Sequence, residues 1–233
     1  MFAVVSCDMF DLDEGAGNLD EATAARVDEV LGMFDDSIPT GSETKTTESV
    51  GNVVIESSAY FATGTISGKK ASVYEGSYQS LSEIGNSLNM VNTLEESKWY
   101  VEGKGLSTDK GMTWDAEAGD FAPTEGFIKL NLKKSKIKWA KYYEATSTLE
   151  VTVDKQYATE VVGSYLEKNQ TIDSDITITI VTAGGRVTGL RLVYSIPAHQ
   201  VNVPDSDATI QIQETTVVVD AKYSYGLQTI NLE

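Results

Sequence analysis

The chain has 233 residues, 18 of them basic and 35 acidic, and its net charge at pH 7 is -17. This charge repels phosphate backbones, so we expect no nucleic-acid partner. No apolar run approaches the roughly 18 residues of a membrane-spanning helix. One cysteine and one histidine exclude an internal disulfide and most metal sites, so we expect no metal and no cofactor.

The sequence Val4-Val5-Ser6-Cys7 has the pattern at which bacterial lipoprotein signal peptides are cut. A small residue admits the peptidase, and the cysteine thiol carries the diacylglyceryl group. The pattern predicts lipid attachment at Cys7 and a protein exported to the cell envelope and anchored on a membrane surface. Three residues precede the pattern, whereas a secretory signal has an apolar core of about 7–15 residues. The alternative is that Cys7 is unmodified.

Residues 8–17 mix acidic side chains with glycine and show no apolar periodicity, which is typical of a flexible tether. We therefore assign residues 1–17 to the lipid-attachment motif and tether, and residues 18–233 to one folded domain. The first predicted element of that domain is a helix over Leu19–Phe34. Asn18 is its expected N-terminal cap, and Glu21 completes a capping box.

From Val50 onwards the apolar period changes from 3.6 to 2, and β-branched and aromatic residues punctuated by glycine predict a series of strands. Trp99, Val101 and the segment Phe127–Leu132 belong to this series. Apolar residues at spacings of three and four predict a second helix over Ser80–Leu94.

The last third of the chain has the clearest pattern. It predicts a strand over Thr148–Val153, a helix over Lys155–Lys168, and a strand that includes Ile176–Ile180. Gly184-Gly185 suits a two-residue hairpin turn. A return strand to Ile196, a loop through His199, and a long strand over Thr209–Tyr223 follow.

This order of elements, with its final strand running into Lys222-Tyr223-Ser224-Tyr225, resembles bacterial lipoproteins with a LolA-like or LppX/LprG-like fold. The resemblance covers roughly Val50 to Leu232. It implies an α+β fold in which a strongly curved antiparallel sheet forms an incomplete barrel, with two or three helices on its concave side. It also implies a lipid-anchored envelope protein that binds or carries an apolar ligand in that concavity without chemical change.

Apolar residues of the alternating strands are the candidates for lining such a concavity. Each of them also fits ordinary core packing. The candidates are Trp99, Val101, Ile178, Ile180, Leu190 and Leu192.

Five lysines surround Trp139 in this acidic chain, and two of them, Lys134 and Lys136, are candidates for contact with anionic lipid head groups. The other interpretation is that alternating lysines protect an edge strand from pairing with a neighbour. Trp99, Trp114 and Trp139 also suit a surface that binds a glycan or a protein.

We expect no enzyme activity. His199 has no Gly-x-Ser-x-Gly motif to accompany it, and no pair of carboxylates stands in an apolar setting. The alternative to a lipid carrier is a surface interaction module with a filled core that binds a protein or glycan partner. In either case we expect a monomer.

Overall fold

The structure is a computed structural model that describes residues 19–36, 38–84, 87–121, 128, 130–163, 166, 170–202 and 209–230. Cys7 and the predicted tether over residues 1–17 lie outside the described residues. So does Asn18, the expected cap of the first helix.

The first element is helix α1, Glu21–Asp36, which confirms the predicted N-terminal helix. Asp20 caps it, because its carboxylate accepts hydrogen bonds from the backbone N–H of Thr23 at 2.9 Å and from the Thr23 hydroxyl at 2.7 Å. Val27 and Val30 are fully buried, so one face of α1 lies against the rest of the molecule.

The remaining elements are mostly strands. The first group is β1 (Gly41–Val50), β2 (Val53–Ile66), β3 (Lys69–Ile84), β4 (Ser87–Val101) and β5 (Gly105–Ser107). The second group is β6 (Ile137–Tyr143), β7 (Thr148–Val153), helix α2 (Lys155–Val162), β8 (Ile176–Ala183) and β9 (Arg186–Ile196). The last group is β10 (His199–Asn202), β11 (Thr209–Ile212), β12 (Thr215–Ser224) and β13 (Gln228–Thr229).

Ten strands form one open sheet in the order β5-β4-β3-β2-β1-β12-β9-β8-β7-β6, and an eleventh, β13, joins it beside β2, while β10 and β11 form a separate ribbon. Neighbours in this order are antiparallel, and the short β13 lies parallel to β2 beside Gly64 and Thr65. The sheet does not close, because β5 and β6 stand at its two ends. The predicted antiparallel sheet is therefore confirmed, and the described residues contain two α-helices.

The centre of the sheet is the pairing of β1 with β12, which joins the two meanders of the chain. The pairs run from Gly41 opposite Ser224 to Val50 opposite Thr215. β1 is almost entirely polar, with the sequence GSETKTTESV.

The two faces of the sheet differ in character. Opposite residues in an antiparallel pair point to the same face, and neighbours along a strand point to opposite faces. We define the packed face as the one that carries Ile178, Leu192 and Val219, and the open face as the one that carries Thr179, Arg191 and Asp220. These two sets are paired across β8, β9 and β12.

The packed face of β7, β8, β9 and β12 forms the main core with α1 and α2. Ala158, Val161 and Val162 of α2 are buried there. Asp154 caps α2, since its carboxylate accepts a hydrogen bond from the backbone N–H of Gln156 at 3.0 Å. Gly184 and Gly185 have φ values of +59° and +71°, which confirms the predicted turn between β8 and β9.

The helix predicted over Ser80–Leu94 is wrong. This part of the chain is a β-hairpin, in which β3 continues to Ile84 and β4 begins at Ser87. Leu81 pairs with Val91, and the register shifts between Ser82 and Glu83. Two antiparallel strands with a register shift between them produce the spacing of three and four residues that the sequence shares with a helix.

The strand predicted over Phe127–Leu132 is also wrong, because the described residues of this segment have no regular secondary structure. The segment belongs to the connection from β5 to β6, two strands that lie at opposite ends of the sheet. Ile128 is buried in the main core, and Leu130 and Leu132 pack against it. The apolar residues therefore cover the packed face instead of extending the sheet.

Two other elements are shorter than predicted. Helix α2 ends at Val162 rather than Lys168, and the long C-terminal strand is divided into β11 and β12 by Gln213 and Glu214. His199 lies in β10 opposite Ile212 rather than in a loop. No helix in the described parts of the chain is both long and apolar enough to cross a membrane.

Candidate functional site

A cleft of about 550 Å³ crosses the open face of the sheet in its N-terminal half. It lies between two rows of side chains that follow the cross-strand pairing. The first row is Lys222, Glu43, Tyr60 and Glu75, and the second is Asp220, Lys45, Ser58, Ser77 and Glu95. We call this space the open-face cleft.

Small side chains create the space. Ser58 and Ser77 lie in the middle of the second row, directly beside Tyr60 and Glu75 of the first. The backbone of Thr44, Ala59 and Gly76 lies between the two rows and forms the floor, because the side chains of Thr44 and Ala59 belong to the other face and Gly76 has none. The volume lies within the range of about 300–1,000 Å³ that is typical of small-molecule sites.

A loop at the end of β5 supplies one wall through Lys110. The Asp109 carboxylate accepts hydrogen bonds from the Ser107 hydroxyl at 2.7 Å, the Thr113 backbone N–H at 2.9 Å and the Thr113 hydroxyl at 2.6 Å. Lys110 has a φ of +55°, in the left-handed region that a lysine rarely adopts. The Asp109 network holds the loop in this strained form and places Lys110 at the cleft.

The loop should therefore respond to acid. These hydrogen bonds lower the pKa of Asp109 from 3.8 to about 2, and the bonds from Thr113 have the largest effect. Because the pKa is depressed in the folded state, Asp109 contributes stability above pH 3.8, and this contribution is lost as the pH falls towards 2. We expect the indole fluorescence of Trp114, which packs beside Gly111, to change over that range. In an Asp109→Asn variant, which has no carboxyl group to titrate at this position, the fluorescence change between pH 3.8 and 2 should be smaller.

Tyr60 lies at the centre of the first row, with 39% of its surface exposed. Glu43 is opposite it on β1, and Glu75 is opposite it on β3. Partial burial raises the pKa of the Tyr60 hydroxyl, and the negative charges of Glu43 and Glu75 raise it further. The tyrosine therefore stays neutral at physiological pH, with a carboxylate on either side.

Most other charges at the cleft are paired. Lys45 binds Glu56 at 2.6 Å, Arg191 donates to both carboxylate oxygens of Asp220 at 2.9 Å, and Lys110 lies 3.8 Å from Glu95. Glu75 instead accepts a hydrogen bond at 3.0 Å from the neutral indole N–H of Trp99. The negative charge of Glu75 is therefore oriented but not neutralised by this contact.

The six predicted lining residues do not come together. Ile178, Ile180, Leu190 and Leu192 are buried in the main core on the packed face, with 0–3% of their surface exposed. Trp99 and Val101 lie on the open face in a second, small cluster with Ala62, Ala71, Val73 and Ile230. These residues are enclosed by packing in both places, so their role as a ligand lining stays a prediction.

The two predicted head-group lysines are engaged within the fold. Lys136 is 7% exposed, and its ammonium group donates to the Asn131 carbonyl at 2.9 Å and pairs with Glu160 at 2.9 Å. Lys134 pairs with Asp28 of α1 at 2.7 Å. A head-group role for either lysine would require these contacts to break. The lysines of β6 itself lie on a strand at the end of the sheet, as the edge-strand interpretation predicts.

The three tryptophans do not form one surface. Trp99 and Trp114 meet at the small cluster, whereas Trp139 lies at the opposite end of the sheet on β6, 43% exposed.

The single histidine, His199, lies in the β10–β11 ribbon, where its Nδ1 is 2.9 Å from the Pro197 carbonyl oxygen. In the described part of the chain, no three His, Cys, Asp or Glu side chains are placed to hold a metal ion.

Sequence reasoning missed Glu43, Tyr60 and Glu75 as a group, since their proximity depends on the pairing of three strands. The polar sequence of β1 was an available signal. A strand in the middle of a sheet normally carries apolar residues on at least one face. A central strand with glutamate and lysine on one face, at positions 43 and 45, indicates that this face is exposed to solvent.

No protein-family model and no curated protein matches this sequence. Two solved structures are similar over most of the chain. A DUF1329 family protein from Desulfovibrio piger is 9% identical, with 88% of this chain and 95% of that chain covered and a TM-score of 0.25. A putative outer membrane lipoprotein-sorting protein domain from Vibrio parahaemolyticus is 9% identical, with 89% and 94% covered and a TM-score of 0.24. A likeness this weak carries no conclusion about the present chain.

Proposed function

We propose that this protein is a non-catalytic binding protein and that its ligand occupies the open-face cleft. The observation that carries the proposal is a ligand-sized space of about 550 Å³ on the open face, opposite a core closed by buried side chains. Ile178, Ile180 and Leu192 have no exposed surface. The filled core agrees with one part of the alternative derived from the sequence, which named a protein or glycan partner. The open cleft adds room for a small ligand, which that alternative did not include.

A substitution that fills the cleft tests this proposal. We expect Ser58→Trp to abolish ligand binding without unfolding the protein, because Ser58 is exposed on the open face and tryptophan is well accepted in strands. Ser195→Trp is the matched control, since Ser195 lies on the open face of β9 outside the cleft.

The measurement is native mass spectrometry of each protein purified gently from its own host. The wild type and Ser195→Trp should carry a small molecule at unit stoichiometry, and Ser58→Trp should be empty. Equal retention of that molecule by Ser58→Trp, or an empty wild type, would contradict binding in the cleft.

A second candidate function is the transport of an apolar ligand between the helices and the packed face, in a sheet curved into an incomplete barrel. The observation that favours it is the attachment of α1. The described ion pairs that tie α1 to other elements join Arg26 to Glu144 and Asp28 to Lys134, and their side chains are 38–72% exposed. Exposed ion pairs contribute about 1 kcal/mol or less. Apolar packing of Val27 and Val30 also holds α1, and movement of this helix would expose the part of the main core that these two residues cover.

Organic extraction of the same purified protein tests this second candidate. A lipid released in equal amounts from the wild type and Ser58→Trp would support a site beneath α1. An extract without lipid would remove it.

We also propose that the protein is held at a cell-envelope membrane through a lipid on Cys7. The support is the Val4-Val5-Ser6-Cys7 pattern. The mass of the N-terminal peptide from the native host decides this point, because diacylglyceryl modification adds a large and defined mass. An unmodified Cys7 would contradict the anchor and leave the binding proposal standing.

A further inference from the structure

The open-face cleft has an uneven charge distribution that bears on the chemistry of its ligand. Four acidic side chains line it, Glu43, Glu75, Glu95 and Asp220, against three lysines, Lys45, Lys110 and Lys222. The whole chain has a net charge of -17. Anionic ligands are therefore repelled at long range and at the cleft, whereas cations are attracted and their local concentration is raised.

The charge is concentrated around one aromatic ring. Glu43 and Glu75 are both direct cross-strand neighbours of Tyr60, a relation that places Cβ atoms about 4.5–5.5 Å apart. The face of a tyrosine ring attracts cations through its quadrupole. A positively charged group above Tyr60 would meet the ring below it and a carboxylate on each side.

Glu75 provides the stronger of the two charges. Its described partner is the neutral indole of Trp99, which holds the carboxylate in place without cancelling its charge. Trp99 is itself buried in the small cluster, so this support is rigid. Glu43 is opposite Lys222 on its other side, which reduces the field of Glu43 at the Tyr60 ring.

We infer that the ligand of the open-face cleft is an organic cation, whose amine or quaternary ammonium group lies on the Tyr60 ring between Glu43 and Glu75. This inference rests on the proposed function, because it names the class of ligand that the cleft binds. The two serines, Ser58 and Ser77, leave room beside the ring for the uncharged part of the molecule.

Isothermal titration calorimetry with choline and with spermidine tests this inference at low ionic strength. We expect saturable binding of at least one of them, weakened about tenfold by Glu75→Gln and further by the double change Glu43→Gln with Glu75→Gln. Glutamine keeps the shape of the side chain and an oxygen for the Trp99 indole. Glu117→Gln is the control, since Glu117 is an exposed glutamate that does not line the cleft.

Substitutions of Tyr60 separate the ring from its hydroxyl. Tyr60→Phe should retain binding, and Tyr60→Leu should lose it, because leucine has no ring quadrupole. Competition by phosphatidylcholine vesicles against bound choline would identify a lipid head group as the source of the cation. Absence of competition would identify a free amine, and both results support the inference.

The neutral isostere of choline, 3,3-dimethylbutan-1-ol, tests whether the positive charge of the ligand is needed for binding. Binding of this alcohol as tightly as choline, with no change in the glutamine variants, would overturn the assignment of a cation. The proposed function would survive that result if Ser58→Trp abolished binding of the alcohol. Failure of both choline and spermidine to bind the wild type would also overturn the inference.

Discussion

Ile178→Asp should destabilise the protein strongly. Ile178 has no exposed surface and lies between Val151 of β7 and Leu192 of β9, which are equally buried. An aspartate there would have to be ionised in an apolar setting or be protonated at a cost, and no partner faces it in the described core. We expect a loss of about 4 kcal/mol or more, a large part of the 5–15 kcal/mol that stabilises a typical domain.

Thr179→Asp is the matched control for this prediction. Thr179 is the next residue of β8 but points to the open face, opposite Glu150 and Arg191. The same charge there stays in water, so the loss should be about 1 kcal/mol or less. Urea unfolding followed by circular dichroism measures both values. Similar losses for the two variants would mean that the assignment of the two faces is wrong.

The second large effect is expected at Gly105, the first residue of β5, which approaches Asp115 just after the loop that carries Lys110. Gly105 has a φ of +91°, and a Cβ at this position would stand 1.8 Å from the carbonyl oxygen of Asp115. That oxygen accepts a hydrogen bond from the Leu106 backbone N–H at 3.0 Å. Gly105→Ala would force the two segments apart and break the bridge between Leu106 and Asp115.

Gly68→Ala measures the cost of the backbone conformation alone, so the steric part of the Gly105 effect is the difference between the two variants. Gly68 has a φ of +79°, but nothing lies within 4 Å of its added Cβ. It should cost about 1 kcal/mol from the backbone conformation alone. Gly105→Ala should cost at least about 2 kcal/mol more and also reduce ligand affinity, because it moves the wall of the cleft. Thermal unfolding gives the comparison, and equal costs would exclude the close approach of Asp115.

The C-terminal meander could be predicted from its sequence for a physical reason. β7, β8 and β9 largely alternate buried residues with half-buried or exposed ones, and the Gly184-Gly185 turn fixes the connection of β8 to β9. Local alternation and turn chemistry suffice when one face packs on a core and the other faces water. The helix α1 was found in the same way, through the period of its buried residues.

The errors came from segments whose apolar pattern has more than one solution. Leu81, Ile84, Leu88 and Val91 fit a helix, yet they belong to two paired strands. The segment around Leu130 alternates like a strand, but its described backbone bond is from the Asn131 N–H to the Val161 carbonyl at 3.3 Å, at the end of α2. In both places a distant part of the chain decides the structure.

The cleft was beyond sequence reasoning for a related reason. Tyr60 is adjacent to Glu43 and Glu75 only through the registers of β1 with β2 and of β2 with β3. A shift of one residue in either pairing would move one member to the other face. The individual residues are ordinary surface side chains, and their combination is a property of the sheet.

The pairing of β1 with β12 has a consequence for how the molecule is assembled. The two meanders consist of local hairpins, but this central pair unites segments from the two ends of the described chain. Loop-closure entropy makes such a contact slow to form compared with hairpins. During synthesis, β1 leaves the ribosome long before its partner exists, so one edge of the first meander stays unpaired in the meantime. The polar sequence of β1 suits that interval, since a strand of threonine, serine, glutamate and lysine is a poor template for aggregation.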